Sequence, residues 1–292
     1  MNPRAQEWTS RPERGNVLAL RFIAWVALRL GRSPARALLY PICAYFLLFS
    51  VATRRASGDW LTRVLGRPPR LRERFQHYHV FASTILDRVF LLNDRFDLFD
   101  LDIQGADALR EAQLAGRGCF LLGAHFGSFE VTRAAGRMHS GLEVSLLMYE
   151  ANAQRMGAIM RLINPALGMK IIGLGEIDSM LQVRACLDAG EFVGMLADRR
   201  LDEADSLTVT IPFLGAPARF PTGPFRLATL LRRPIVLMFG VYRGGNRYEV
   251  CFEPMAVGEG GVARLAAHYA KRLEHHARRA PYNWFNFHDF WN

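Results

Sequence analysis

Lysine is nearly absent from this chain. Of the 37 basic residues among 292, only Lys170 and Lys271 are lysines, and all the others are arginines. A guanidinium is planar and forks onto phosphate or carboxylate with two parallel bonds, so the positive charge here is of the kind that grips oxyanions. Cysteine is also scarce: Cys43, Cys119, Cys186 and Cys251 stand far apart, each in an apolar stretch. That spacing excludes a disulfide framework and a cysteine metal site, and it fits buried thiols in a reducing cytoplasm. Several catalytic signatures are missing. No Gly-x-Ser-x-Gly elbow surrounds Ser128, which makes it a poor nucleophile. There is no Walker loop and no His-Glu-x-x-His. Gly173 and Gly175 lack the third glycine of a dinucleotide fingerprint. His77 and His79 have no acid at helical ligand spacing and read as a helix surface and a packing position, so no metal is expected.

What is present bounds the rest. Half the residues are hydrophobic (50%), enough for a sizeable core, and 292 residues allow one large domain or two modest ones. The formal charge of +10 fits nucleic acid, an anionic membrane surface or an acidic protein as partner, or a basic enzyme whose charge does nothing specific. Met1–Arg14 is polar and expected to be loose. Asn16–Leu30 is apolar with helical spacing, interrupted by Arg21 and Arg29. Ala37–Ala52 is a run of sixteen uncharged residues with Pro41 inside it, short of the about 20 that a spanning helix needs. No small-residue cleavage site follows it. Three readings remain: a tilted or re-entrant anchor ending at Arg54 and Arg55, an interfacial amphipathic pair, or a buried helical hairpin. The flanking arginines and Trp25, Tyr40 and Tyr45 favour the membrane. The expected division is a membrane-associated helical segment at 1–58 and an α/β domain at 59–292.

Asp59–Leu92 reads as one or two helices, with Asp59 as N-cap and Pro68–Pro69 as a break. From Phe96 strands and helices alternate, which predicts an α/β fold with a mixed, largely parallel sheet flanked by helices. Candidate strands are Leu98–Ile103, Cys119–Leu122, Val144–Met148, Met169–Ile172, Phe192–Leu196, Leu207–Ile211, Ile235–Val241 and Tyr248–Glu253. Candidate helices are Ala106–Ala115, Ser128–Met138, Ala153–Leu162, Ile177–Ala189, Gly223–Leu231 and Val262–Ala277.

The stretch Gly118–Glu130 (GCFLLGAHFGSFE) carries the chemistry. Cys119–Leu122 is a buried strand and Ser128 opens a helix, so His125 lies on the turn at the carboxyl edge of a strand, where open α/β sheets place their chemistry. His125 and Glu130 are five residues apart. If Glu130 lies in the first helical turn, its carboxylate can swing back to one imidazole nitrogen and raise the basicity of the other. Gly127 lets backbone approach a substrate, and N–H groups near it offer themselves to an oxyanion. The alternative is a structural histidine bonded to backbone, with Glu130 solvated at a helix N-terminus.

His125-x4-Glu130 after an apolar strand resembles the His-x4-acid signature of glycerolipid-type acyltransferases. More specifically, the chain resembles the bacterial lipid A late acyltransferases, the lauroyl/myristoyl transferase group. Three other stretches carry the likeness: Phe192–Arg200 (FVGMLADRR), Ile211–Pro217 (IPFLGAP) with Phe220–Pro224 (FPTGP), and the tail Pro281–Trp291 (PYNWFNFHDFW). The Pro-Glu-Gly-Thr-Arg block of related enzymes is absent, and Phe220–Pro224 stands about where it would be.

The resemblance implies an O-acyltransferase at the cytoplasmic face of a bacterial inner membrane. His125 would be the base and Glu130 its orienting acid. Gly127, Ser128, Asp198, Arg199, Arg200, Thr222 and Gly223 would meet substrate. The donor implied is acyl-carrier protein, or coenzyme A, with no further cofactor; the acceptor implied is a hydroxyl of a lipid A precursor. Anionic membrane lipids and the acidic carrier would give the positive charge its partners. A different lipid acceptor (another glycolipid, an amino-acid lipid or a polyene lipid) and a non-catalytic basic membrane-binding protein remain as alternatives. The basic helix Arg264–Arg279 suits an acidic carrier better than nucleic acid. The aromatic tail either covers an acyl groove or packs on the core, and His288–Asp289 is a weak second base pair.

Overall fold

The computed structural model describes residues 25–164, 170–174, 177–199, 207–257 and 260–291. Met1–Arg14, most of Asn16–Leu30, Met169, Gly175 and Arg200 fall outside them. The chain is helical at 25–30. Helix α1 (Arg32–Phe49) follows, with Pro41 inside it, and α2 (Val51–Leu65) turns away at Ser50 with a bend of 95°. Asp59 is therefore not an N-cap: the bend at Ser50 starts α2 earlier, and position 58 lies inside that helix. The Pro68–Pro69 break does separate α2 from α3 (Leu71–Leu91).

One buried carboxylate locks these helices to the body. Asp87 on α3 has no exposed surface. Arg32 forks onto it through Nε and Nη2 at 2.7 and 2.8 Å, and the Tyr248 hydroxyl donates to it at 2.8 Å. Charge-assisted forks of this kind are short and directional.

The α/β body then runs β1 (Asp100–Gln104), α4 (Ala106–Leu114), β2 (Cys119–Gly123), α5 (Phe129–Ser140), β3 (Val144–Tyr149), α6 (Glu150–Ile163), β4 (Ile171–Leu174), α7 (Ile177–Asp188) and β5 (Phe192–Leu196). After these come β6 (Thr208–Phe213), β7 (Ala216–Pro221), α8 (Gly223–Leu231), β8 (Ile235–Gly244), β9 (Arg247–Met255) and α9 (Gly261–Arg279). Seven strands form one sheet in the order β1-β9-β8-β2-β5-β3-β4, parallel throughout except for the β8–β9 hairpin. The fold is α/β with a mixed, mostly parallel sheet flanked by helices, as the alternation predicts. Strand β7 was not expected, because Pro217 and Pro221 argue against a strand interior. It forms a separate two-stranded hairpin with β6, where each strand has a single partner and its outer edge needs no ladder bonds.

Strand β2 is buried along its whole length. Its side chains alternate between two cores, as the pleat requires. Phe120 and Leu122 join Val193, Leu237, Phe239, Tyr269 and Trp284 on one face. Cys119 and Leu121 join Phe192, Val236, Met238 and residues of α3 and α5 on the other.

The chain leaves β2 through a turn pinned on both sides. The His125 carbonyl accepts from Phe285 N–H (2.8 Å), Gly127 N–H donates to the Asn283 carbonyl (2.8 Å), and Ser128 N–H donates to the Gly240 carbonyl (2.8 Å). Asn283 in turn clamps the backbone of Tyr242 with its side-chain amide, at 2.7 and 3.2 Å. Gly127 sits at φ 65°, and a Cβ there would lie 1.8 Å from the Gly240 oxygen. Only glycine fits. Ser128 then caps α5, its hydroxyl accepting from Val131 N–H at 3.3 Å.

The tail is also held by His77, whose ring has no exposed surface. Its Nε2 lies 2.9 Å from the Trp284 carbonyl and its Nδ1 lies 2.8 Å from the Ser57 hydroxyl. A carbonyl only accepts, so Nε2 carries the proton and Ser57 donates to Nδ1.

Two outcomes follow from these contacts. Gly127→Ala should cost at least about 1–3 kcal/mol of stability from backbone strain alone, read as a lowered midpoint in denaturant unfolding. Burial pushes the His77 imidazole down to about 4, against about 6.5 in an unfolded chain. The unfolded state therefore takes up this proton first, and stability contributed above pH 6.5 is lost as pH falls toward 4, by about 3 kcal/mol. Unfolding of His77→Gln measured across that window should show a flatter acid limb than wild type.

Candidate active site

His125 emerges from the carboxyl end of β2 beside Asp198, which follows β5, the parallel neighbour of β2. Asp198 has no exposed surface and receives three hydrogen bonds. His125 backbone N–H donates to Oδ2 (3.0 Å), the Trp284 indole donates to Oδ2 (2.8 Å), and His125 Nδ1 meets Oδ1 at 2.9 Å. Burial alone would raise the Asp198 pKa. The imidazole, the Arg199 guanidinium and the indole outweigh it, and the carboxyl lies below its ordinary value. An ionised Asp198 only accepts, so His125 Nδ1 carries a proton.

The His125 side chain keeps 34% of its surface exposed. Desolvation by the surrounding walls lowers its pKa, Arg199 lowers it further, and Asp198 opposes both without reversing the sign. The ring is neutral at pH 7, and its Nε2 holds a lone pair. A neutral imidazole oriented by a buried carboxylate accepts a proton from a hydroxyl placed against Nε2.

Glu130 is not the partner of His125. Its carboxylate is captured elsewhere, because Arg88 Nε reaches Oε1 at 2.6 Å and the Ser128 hydroxyl donates to Oε2 at 3.1 Å. The Nδ1 edge it was expected to meet is already taken by Asp198. The expected backbone donors are likewise occupied: Gly127 and Ser128 give their N–H groups to the carbonyls of Asn283 and Gly240.

The other candidates divide. Arg199 lies beside Asp198, its Nη2 donating to the Phe285 carbonyl at 2.6 Å. Burial lowers its pKa and Asp198 raises it, with burial prevailing. Arg200 is outside the described residues. Thr222 closes the β6–β7 hairpin, its N–H and hydroxyl both donating to the Leu207 carbonyl at 2.8 Å. Gly223 begins α8, with open space where a Cβ would stand. Among the described residues no hydrogen bond or ion pair joins Thr222 or Gly223 to His125, Asp198 or Arg199.

The aromatic tail packs on the core: Trp284, Phe285 and Phe290 are buried. His288 lies near Arg199, and burial followed by that charge pushes its imidazole down to about 3. Among the described residues no group of three His, Cys, Asp or Glu side chains gathers at metal-ligand spacing.

Sequence reading missed three participants. Trp284 and Asn283 were legible only as aromatic and polar members of the tail. Arg88 sits in the last turn of α3, one arginine among many. The one available signal was that Asp198, like His125, follows a buried strand.

Comparison with curated proteins gives no match. Residues 20–292 match the family model described as bacterial lipid A biosynthesis acyltransferase. That span takes in the turn at His125, the Asp198 block, the hairpin and the tail, and the chain therefore belongs to the bacterial lipid A biosynthesis acyltransferase family.

Proposed function

We propose that this acyltransferase carries a fatty acyl chain from a thioester on acyl-carrier protein to a hydroxyl of a lipid A precursor, with His125 as general base and Asp198 as the residue that orients it. The observation carrying this reading is the hydrogen bond from His125 Nδ1 to buried Asp198, which leaves Nε2 as the acceptor of a ring that is about one-third exposed. The acceptor hydroxyl gives its proton to Nε2 while its oxygen attacks the thioester carbonyl carbon. The carbonyl electrons move onto oxygen. Collapse of that intermediate expels the carrier thiolate, which takes the proton back from Nε2. The products are an ester and a free thiol, with no covalent enzyme intermediate.

The membrane is the proposed workplace, at the cytoplasmic face of the bacterial inner membrane, with 1–58 as the membrane-associated segment. Among the described residues no single helix is long and apolar enough to cross a bilayer; α1 and α2 together pass that test only as a bent pair. The elbow between them exposes Tyr45, Leu48, Phe49 and Val51. An exposed apolar corner flanked by arginines suits a helix pair lying in the interface, its charges facing anionic lipid. The formal charge of +10 suits both that surface and an acidic carrier.

Lipid mass spectrometry of cells expressing wild type or His125→Ala tests the reading. A lipid that gains one acyl-chain mass only with wild type names the acceptor and the chain length. Unchanged acylation by His125→Ala ends the mechanism. Asp198→Asn replaces an acceptor by an amide that can donate to Nδ1 and hold the wrong tautomer. It should cut turnover by about 10²–10⁴-fold. The base works unprotonated and its pKa is depressed, so kcat/KM should hold steady from pH 8 down to about 6.5 and fall only at lower pH.

A further inference from the structure

The proposed chemistry puts a negative charge on the thioester oxygen, and the backbone donors expected to receive it are closed. Gly127 N–H and Ser128 N–H each point into a carbonyl at 2.8 Å. Something else beside His125 has to supply positive potential.

We propose that Arg88 is the charge-stabilising catalytic residue of this site and that Glu130 is the positioning residue that holds its guanidinium at the N-terminus of α5; the inference rests on the general-base reading of His125. Helix α3 runs one side-chain stripe along the tail that borders the base. His77 meets the Trp284 carbonyl, the Phe81 ring packs 5.1 Å from Phe285 and 5.3 Å from Phe287, and Arg88 ends the stripe at Glu130. These positions are four and seven residues apart, which places them on one helical face.

The Glu130 carboxylate is buried, with 4% of the residue exposed, and both its oxygens are engaged. Its position in the first turn of α5 and the Ser128 hydroxyl fix its geometry, so the cation it holds is fixed too. Arg88 keeps 21% of its side chain exposed although its Nε is buried, where it meets Glu130 as an ion pair without hydrogen-bond alignment. The exposed fifth therefore lies elsewhere on the side chain. Among the described residues no acceptor takes a hydrogen bond from its terminal Nη groups.

A second guanidinium, Arg133, stands three residues beyond Glu130 on the same helix. Arg133, one turn along α5, is 7% exposed and leaves its Nε without a partner, its one hydrogen bond among the described residues being a long contact of 3.4 Å to the Leu91 carbonyl. Arg137, the next arginine on that face, is paired with Asp94 at 2.7 Å. Among the described residues only Arg88 forms an ion pair with Glu130, and Arg133 feels Asp94 and then Glu130 at longer range. A buried guanidinium as poorly partnered as Arg133 is costly until an anion reaches it. The N-terminal end of the α5 dipole adds to that potential. Arg88 is also close enough for its charge to depress the His125 pKa.

In the reaction the acceptor oxygen bonds to the thioester carbon, the hydroxyl proton goes to His125 Nε2, and the carbonyl electron pair goes to the oxygen facing Arg88. Expulsion of the thiolate returns that electron pair to the carbonyl, and Arg88 is left as it began. No proton passes through it. The interaction is strongest when the charge is present, which is the condition for raising kcat.

Initial rates with an acyl-carrier-protein thioester and a lipid A precursor test this. Arg88→Gln should lower kcat by about 10²–10³-fold with both KM values little changed, the pattern of an interaction made only in the transition state. Arg88→Lys should recover part of the loss. The His125 limb of the pH–rate profile should move upward in Arg88→Gln, because a positive neighbour is gone. Glu130→Gln should lower kcat less than Arg88→Gln, and should cost little further when added to it. Should Arg88→Gln fail to fold with Glu130 left unpaired, the double variant removes both charges and carries the same test. A folded variant lacking Arg88 with wild-type kcat overturns the proposal. So does a raised KM at unchanged kcat, which would make Arg88 a ground-state anchor for an anionic substrate group. His125→Ala in the same assay separates the two readings: its activity surviving defeats the base, whereas its activity lost with Arg88→Gln unimpaired defeats only the role of Arg88.

Discussion

The carboxylate of Asp198 has no contact with solvent, and a charge so placed persists only when donors surround it. Three donors do so, and they come from far-separated parts of the chain: the backbone and ring of His125 from the turn after β2, and the indole of Trp284 from the tail. Removing any one leaves the others bonded to an under-satisfied charge. The requirement reaches outward. Trp284 can donate only if the tail is laid down correctly, which Asn283 secures against β8 and His77 against α3. Around the indole, Trp60, Phe213 and Phe290 stand edge-on within 5.4 Å. The catalytic edge, the hairpin and the N-terminal helices are in this sense one mechanical unit.

The same ion also decides the state of His125, the proposed base. A ring nitrogen facing an ionised carboxylate keeps its proton, and the opposite nitrogen is left as a lone pair. Arg199 and the enclosing walls prevent the pairing from raising the ring to a permanently charged state. Opposed influences of this kind allow an acid-labile group to serve as a base at neutral pH.

Local sequence made the turn legible and could not make its partner legible. Apolar Cys119–Leu122, the glycines and the N-cap Ser128 are neighbours, and their spacing alone places His125 at a strand's end. Asp198 lies 73 residues on, and only the pairing of β2 with β5 brings it there. Glu130 was the nearer acid and the natural choice by distance along the chain. It was displaced by Arg88, which no spacing rule connects to it. The first helices show a similar limit. Asp59 has the right chemistry for an N-cap, yet tertiary packing at Ser50 starts the helix earlier. Strand β7 went unseen because proline penalises a strand within a sheet, and the hairpin it forms stands outside the large one.

The tail segment has a consequence for how the protein comes into being. Every strand of the large sheet is complete by Met255, but two of the bonds that pin the turn and one of the three that fill Asp198 come from Asn283 to Phe285. A nascent chain can therefore close its sheet and bury most of both cores while the Asp198 carboxylate still lacks one of its three donors. Foldedness and competence arrive at different times, and a nick between α9 and Asn283 would separate them permanently.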